Sequence, residues 1–304
     1  AVFFESYLGG NEEDYDVLHH PTFFDESYTV VDGNSIAWEN ARGIASSGIN
    51  SAEQYQALDN LIDIDNLIDH FIVRIWSSDY DWLGPITRND AVVSVFDNKN
   101  WYSGRKSRGE SGKFKFFTWD AEMSMGNHLM VNLLQFAIPP QGVTNFDLTG
   151  VNDSGSPAEF YAKLRTYKPF RIRFGDRLQQ LFFNNGIMTV DNNTKRWDQM
   201  AETIEDAIIA ESARWGDEGS SFSAPFTKND DWAPEVLWVR NEFIANRNQI
   251  VLNQFRNRNL FPDIDAPNFN QLGGVVPPQF NLTMFTQQSD IYYTTDGTDP
   301  YSPV

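Results

Sequence analysis

Cysteine is absent, which removes disulfides, thiolate zinc sites and cysteine nucleophiles and leaves the compartment open. Bases are scarce: 23 Lys and Arg stand against 42 Asp and Glu, for a formal charge of −19. A surface of that sign repels phosphate backbones and anionic lipid, which argues against a general nucleic-acid or membrane binder, while cations are well tolerated. No stretch of 18 apolar residues occurs, so no segment reads as a membrane span. A glycine-rich phosphate loop of the GxGxxG or GxxxxGK kind is also missing. The opening AVFFESYLGGNEEDYDVL carries neither a methionine start nor a signal peptide, and the close, DGTDPYSPV, is a turn after a strand. Both ends read as cut from a longer protein.

The 304 residues suffice for one large domain or two smaller ones. Apolar residues at 41% and aromatics at 14% supply a sizeable core and exclude global disorder. The first 50 residues are mixed, with turn signals at Gly9-Gly10 and Asp32-Gly33. From Ser51 a helical pattern begins, breaks near Asp63 and resumes through Asp65 to Trp76, with Leu67, Phe71, Ile72 and Ile75 on one face. An irregular polar segment comes next, SSDYDWLGPITRNDAVVSVFDNKN. Then WYSGRK and KFKFFTW, joined by SRGESG, predict a β-hairpin.

Beyond residue 157 the pattern is helical. Pro157 suits a first helical position, and Lys168-Pro169 breaks that helix before the next, whose Phe174, Leu178, Leu181 and Phe182 form a stripe ending near Gly186. Asn193 or Thr194 is expected to cap a third helix, with Trp197, Met200, Ile204, Ile208 and Trp215 turned to the core. A fourth runs from about Glu235 to Arg258, with Val239, Phe243, Ile250 and Val251 inward. After Pro262 the composition shifts to a Pro- and Gly-rich linker, PDIDAPNFNQLGGVVPPQ, followed by two strand-like runs, QFNLTMF and DIYYTTDG. Residues 1–262 are thus expected to form one domain, and 263–304 a linker and an incomplete all-β segment too short to bury a core alone.

The stretch FKFFTWDAEMSMG ends a strand-like run with two acids, Asp120 and Glu122. Carboxylates two apart on a strand share a face, so the pair serves either to end the strand and cap the next helix, or to do chemistry. The hairpin returns Asp120 towards the residues just before its entry, Asn98 to Trp101. If the upstream loop folds back, Asp81 of SDYDW joins them. Asp81, Asn100 and Asp120 then converge as oxygen donors, a set suited to a hard cation such as Mg²⁺ rather than zinc. This arrangement has the logic of phosphoryl transfer: one Asp takes the acceptor proton, while an Asn and a second Asp hold metal against nucleotide phosphates. Lys99, Arg105, Lys106, Arg108, Lys113 and Lys115 form a basic island around the hairpin. It reads either as a solvated hairpin tip or as a nucleotide-facing patch.

YLGGNEEDYDVL, IDIDNLIDHFIVRIW, DW followed by DNKNWYSGRK, and FKFFTWDAE together resemble the spore-coat protein H (CotH) kinase family, and RFGDRLQQLFFNNG with AIIAESARWGD is similar to the later part of its secreted bacterial members. The resemblance covers roughly residues 1–262. It implies an α+β, mainly α fold: the C-terminal lobe of an atypical protein-kinase-like domain with a β-hairpin at the metal site. It also implies use of ATP and Mg²⁺ to phosphorylate protein substrates, spore-coat proteins among them. By resemblance Asp81 is the catalytic-loop aspartate, Asn100 its metal-binding companion and Asp120 the metal-binding aspartate after the hairpin; Glu122 takes no assigned role.

The chain departs from the family's pattern at LGPITRNDAVVSVF, which lengthens the catalytic loop and leaves open whether Asp81 or Asp79 reaches the site and whether Asn89 or Asn98 replaces Asn100. The family's N-terminal lobe, with its ATP-contacting lysine, is expected upstream of Ala1, so the fragment alone is not expected to hold ATP productively. GGVVPPQFNLTM and IYYTTDGTDP resemble the chitobiase/β-hexosaminidase C-terminal domain, an immunoglobulin-like module. That resemblance implies a truncated β-sandwich-like tail, an extracellular or cell-surface parent protein, and a possible association with glycan or surface through the tail.

Two other classes compete. One is a non-catalytic surface or matrix scaffold with a cation-binding pseudokinase domain, favoured by the loop insertion and the acidic surface. The other is glycoside hydrolysis, which needs two carboxylates flanking a sugar. The histidines add little: His19-His20 follows an acidic run and could bind metal, but an adjacent pair diverges on most backbones; His70 reads as a partly buried, hydrogen-bonded helix residue; and His128, after the WDAE motif, reads as structural or as lining the site entrance.

Overall fold

A computed structural model describes residues 2–21, 27–79, 82, 86–88, 91–93, 99–108, 112–125, 143–152, 154–217, 225–287, 290–296, 298 and 300. The chain divides into two compact units, Ala1–Phe261 and Pro262–Val304. The fold is mixed α and β, with helix predominant and a small antiparallel sheet.

The first unit opens with α1 (Val2–Leu8), β1 (Tyr15–His19), β2 (Thr29–Asp32) and α2 (Ile36–Ser46). Next come α3 (Ala52–Asp59) and α4 (Ile64–Trp76), divided where the sequence pattern breaks. Each starts on a side-chain cap: Ser51 accepts from the Gln54 N–H and Asp63 from the Asn66 N–H. Those bonds satisfy N–H groups that a helix's first turn leaves unpaired. The expected hairpin is present as β5 (Trp101–Lys106) and β6 (Lys115–Thr118), paired antiparallel with Trp101 opposite Thr118.

The hairpin is half of a larger sheet, whose strand order is β2-β1-β5-β6. Strand β1, YDVLH, falls in the stretch that reads as mixed, and it carries an acid and a histidine. Asp16 is nevertheless fully buried there, accepting from the Arg105 Nε at 3.0 Å and from the backbone and side chain of Asn34. Paired and hydrogen-bonded, the carboxylate can stay inside. Two glycines make the close approaches possible. Gly33, at φ +70°, leaves room for Asp16, and Gly104 leaves room for the Phe4 ring, which a Cβ would meet at 2.4 Å.

Strand periodicity gives the sheet two apolar faces. Tyr15 and Val17 pack with Phe4 of α1, whereas Leu18, Trp101 and Phe116 join the main core. In that core Trp38 of α2 stacks on Trp101, with ring centres 5.7 Å apart, and meets Phe114 and Phe160 edge-on. Helix α4 runs through it, burying Leu67, Phe71, Ile72 and Ile75 as the spacing predicts. The loop insertion, expected to be irregular, contains a short antiparallel pair, β3 (Ile86–Arg88) with β4 (Ala91–Val93).

The helical second half begins with α5 (Pro157–Leu164), which has Pro157 in its first turn, and α6 (Lys168–Phe182), whose stripe is buried. Helix α7 spans Val190–Trp215 and is capped by Thr189, not by Asn193 or Thr194. Asn193 lies inside the first turn and donates to the Met188 carbonyl instead. Most of the helix's apolar stripe is not core: Trp197 packs partly buried against the core, but Met200 is 63% exposed, and Ile204 and Trp215 are each 46% exposed. The fourth helical run starts earlier than expected, at Lys228 after the Thr227 cap. It comprises a π-helical turn (Lys228–Trp232), α8 (Ala233–Trp238), a second π segment (Val239–Ile244) and α9 (Ala245–Asn257). Val239, Phe243 and Val251 are buried there, with Ile250 half-buried.

In the second unit the regular structure among the described residues is one two-residue pair, β7 (Asn268–Phe269) with β8 (Met284–Phe285). The Asn270 side chain bridges it, donating to the Asn281 carbonyl and accepting from the Thr283 N–H. Residues 290–296, expected as a strand, are not one. No described residue of this unit is buried, so nothing holds strands together into layers.

Candidate functional site

The site is built outward from the end of α4. Arg74 is completely buried in the last turn of that helix. Its Nε donates to Asp79 Oδ2 at 2.8 Å, and its Nη2 also pairs with that carboxylate. Its Nη1 donates to the Asn100 carbonyl, and the guanidinium lies 4.4 Å from the centre of the Trp82 ring. One side chain thereby joins the helix end, the loop after it and the entry to β5. A second tie comes from the far side of the hairpin, where the Met125 N–H donates to the Ser77 carbonyl at 2.8 Å.

Four residues in this neighbourhood adopt left-handed backbone: Ser78 (φ 54°), Asn100 (φ 59°), Asp120 (φ 51°) and Met125 (φ 54°). Asn and Asp tolerate that region, while Ser and Met have no such ease. Strain of this kind persists only where surrounding contacts impose it, and it concentrates at functional sites. Asn100 immediately precedes β5 and Asp120 comes two residues after β6. Because Trp101 pairs with Thr118, the ladder brings the two to the same end of the hairpin.

Asn100 is buried and Asp120 is exposed. Asp81, Asn89 and Asn98 lie outside the described residues, as does His128. Asp79, the alternative to Asp81, is buried and ion-paired with Arg74. Glu122 is exposed, beyond the strand end. Amide and carboxylate oxygens are the donor types that a hard cation takes, and Mg²⁺ completes its shell with water or phosphate. Among the described residues no group of three or more His, Cys, Asp or Glu is arranged to hold a metal.

Sequence reasoning missed an aromatic group beside Asp120. The His19 and His20 rings do not diverge; their centres are 4.8 Å apart, and His19 lies 5.1 Å from Tyr102. Tyr102 in turn meets Trp119 edge-on at 5.3 Å. The register pairs His19 with Tyr102, and the His20 N–H donates to the Trp101 carbonyl. Those two constraints keep both imidazoles at the sheet end. Burial, then the neighbouring His19 and Lys99, push His20 below its usual value; the Trp101 carbonyl and Asp120 act in the opposite sense. The signal available in the sequence was the HH pair itself, but its partner becomes apparent only once β1 is known to lie beside β5.

The basic island is largely neutralised by local acids. Arg105 pairs with Asp16, Lys113 with Asp59 at 3.0 Å, Lys115 with Asp63, and Arg108 with Glu13 at 3.9 Å. Arg173 and Arg177 of α6 similarly engage Asp65 and Asp69 of α4. These pairs fix α4 against its neighbours, and with it the Arg74 hub. No helix among the described residues is long and apolar enough to cross a membrane.

No curated protein and no solved structure matches the chain. A family model described as CotH kinase protein matches residues 26–251, a span that takes in α4, the hairpin, the Arg74 hub and α7. With well over half of its length matched, the chain belongs to the CotH kinase protein family.

Proposed function

We propose that the chain is part of an atypical, CotH-like protein kinase that transfers phosphate from Mg-ATP to protein hydroxyls. The observation that supports this reading is the register of Trp101 with Thr118, which leaves Asn100 and Asp120 at the same end of the hairpin, each on left-handed backbone. In this reading Asn100 and Asp120 hold Mg²⁺, and Asp81 accepts the acceptor's proton. The metal would supply charge neutralisation at the nucleotide phosphates. The protein's own contribution is rigidity: Arg74 holds the Asn100 carbonyl and the Asp79 carboxylate together, and the Met125–Ser77 bond anchors the segment after Asp120. Preorganised oxygen donors of this kind lower the cost of binding a small cation.

The rest of the proposal rests on family resemblance. An N-terminal lobe upstream of Ala1 would contribute the ATP-contacting lysine, so that the fragment alone is inactive. Residues 263–304 would begin a chitobiase-like module of an extracellular or cell-surface protein, where the module would associate with glycan or surface. A second reading, a non-catalytic scaffold with a cation-binding pseudokinase domain, draws support from the β3–β4 pair within the catalytic loop.

The test is Mg²⁺-dependent transfer of labelled phosphate by the full-length protein. The kinase reading expects transfer that Asp120→Ala abolishes and Asn100→Ala strongly reduces. Nucleotide binding by the full-length protein no tighter than by its Asp120→Ala variant, with no transfer, decides for the scaffold.

A further inference from the structure

Helix α7 and the helical run opposite it, residues 228–239, flank a cleft of about 890 Å³. Trp197 and Trp215 line it from α7, Trp232 and Trp238 from the facing run, and residues of the 121–125 segment contribute further lining. Its carboxylates are Glu122, Glu211, Asp230, Asp231 and Glu235, and among the described residues no Lys or Arg lines it. The two walls are tied together. The Trp197 Nε1 donates to the Val236 carbonyl at 3.0 Å, Lys228 pairs with Glu205 at 3.1 Å, and Arg240 with Asp198 at 3.0 Å. The cleft is therefore built into the fold.

The apolar floor extends beyond the cleft. At the helical repeat, Trp197, Ile204, Ile208, Glu211 and Trp215 fall within an arc of about 60° and span about 27 Å. Met200, 63% exposed, and Ile204, 46% exposed, continue the stripe on the open surface. The only buried residue of this 26-residue helix is Asn193. Trp197 packs partly buried against the core at one end, while Met200, Ile204 and Trp215 leave the rest of the row exposed, and exposed large apolar residues grouped on one face mark an interaction surface.

Charge selects the occupant. A second copy docking groove to groove would set carboxylates against carboxylates, and the tail from Pro262 onward contains no Lys or Arg to complement them. Anionic lipid is repelled for the same reason. We infer that this groove docks a basic amphipathic helix of a partner protein, its apolar face on the α7 stripe and its Lys or Arg residues against the acidic lining, Glu211 first among it. A stripe of about 27 Å corresponds to about 18 residues of partner helix, and a groove between two helices suits a helical guest. This inference is independent of the kinase reading, because docking needs neither nucleotide nor metal.

The test uses the full chain and a fluorescein-labelled 18-residue Leu/Lys peptide patterned as an amphipathic helix. A scrambled peptide of the same composition and a Leu/Glu helix serve as comparators. The patterned basic peptide binds, and Ile204→Asp weakens it about tenfold although the variant adds a negative charge. Glu211→Lys weakens it as well. Met200→Asp repeats the first test at a more exposed position, with thermal unfolding confirming that each variant folds. The inference fails if the scrambled or Leu/Glu peptide binds as tightly, or if both apolar-to-Asp variants leave binding unchanged or tighter. It also fails if sedimentation shows self-association that Ile204→Asp abolishes, or if the stripe binds neutral phosphatidylcholine vesicles instead of the peptide.

Discussion

Helices α4 and α7 carry apolar residues at the same three- and four-residue spacing, yet the fold treats them differently. Nine of the 13 residues of α4 are buried, Arg74 and His70 among them, whereas α7 buries Asn193 alone among 26. The contrast arises from the surroundings of each helix. Helix α4 has the sheet on one side and α5, α6 and α9 around it, and its ion pairs reach α6. Among the described residues, helix α7 packs chiefly on the 228–244 run, and Met200, Ile204 and Trp215 of its stripe stay exposed. Periodicity therefore identifies a face that can be buried, and tertiary neighbours determine whether it is. Here the fully enclosed helix delivers the candidate site at its end, and the half-enclosed one offers a surface.

Substitutions within α4 should have the largest effects. Phe71 is fully buried and stacked on Tyr161, with ring centres 4.3 Å apart. Phe71→Ala should cost about 3–5 kcal/mol through lost burial and the cavity left behind, read from urea unfolding midpoints. Arg74→Met should cost about as much, because it leaves the Asp79 carboxylate buried without its partner. Adding Asp79→Asn should recover part of that loss. A double variant no more stable than Arg74→Met alone would show that the ion pair is not what holds the loop. It would also remove the reason for treating α4 and the Asn100 turn as one unit.

Much of α4's surroundings was legible locally. Spacing located the helix, the glycine-bearing loop located the hairpin, and the hairpin by itself implied that Asn100 and Asp120 lie close. The hub that organises them was not legible, because an arginine inside an apolar stripe reads as the edge of a helix face. Its carboxylate and carbonyl partners lie five and 26 residues away. The His19–His20 contact was hidden for a related reason: it depends on β1 pairing with β5, a long-range register that the spacing within YDVLH does not encode. The third helix was misread at both levels. Thr189 competes with Asn193 and Thr194 as a cap of similar chemistry, and the exposure of Met200 and Ile204 depends on neighbours that local pattern cannot reveal.

A smaller effect distinguishes the two helices by pH. His70 lies on α4 among Phe71, Trp82 and Phe116, and burial, reinforced by the charge of Arg74, holds its imidazole well below the ordinary value near 6.5. The native state therefore stays neutral there while the unfolded chain takes up a proton as pH falls. Stability should be fully present above the unfolded value and decline below about pH 6.5, with this group contributing a slope approaching 1.4 kcal/mol per pH unit. Unfolding midpoints of His70→Leu between pH 7.5 and 5 should lack that component. An unchanged pH profile would place the acid sensitivity elsewhere.

Helix α7 should respond weakly, and first at its cap. Thr189 accepts from the Asn192 N–H, so Thr189→Ala should cost about 1 kcal/mol, while Thr194→Ala should cost under about 0.5 kcal/mol. Equal losses would restore the later start that the sequence suggested.

The smallest change is expected at Ile204. A polar replacement in the α4 stripe would bury an unsatisfied group, but Ile204 is already 46% exposed. Ile204→Gln removes no packed core atom, leaves the amide in water and preserves helix propensity. Its unfolding midpoint should therefore stay within about 0.5 kcal/mol of the parent, while docking of the patterned basic peptide weakens. A loss of about 2 kcal/mol or more, the scale of a core truncation, would mean that the stripe is covered within this chain after all, and the distinction between an enclosed helix and an open one would fail.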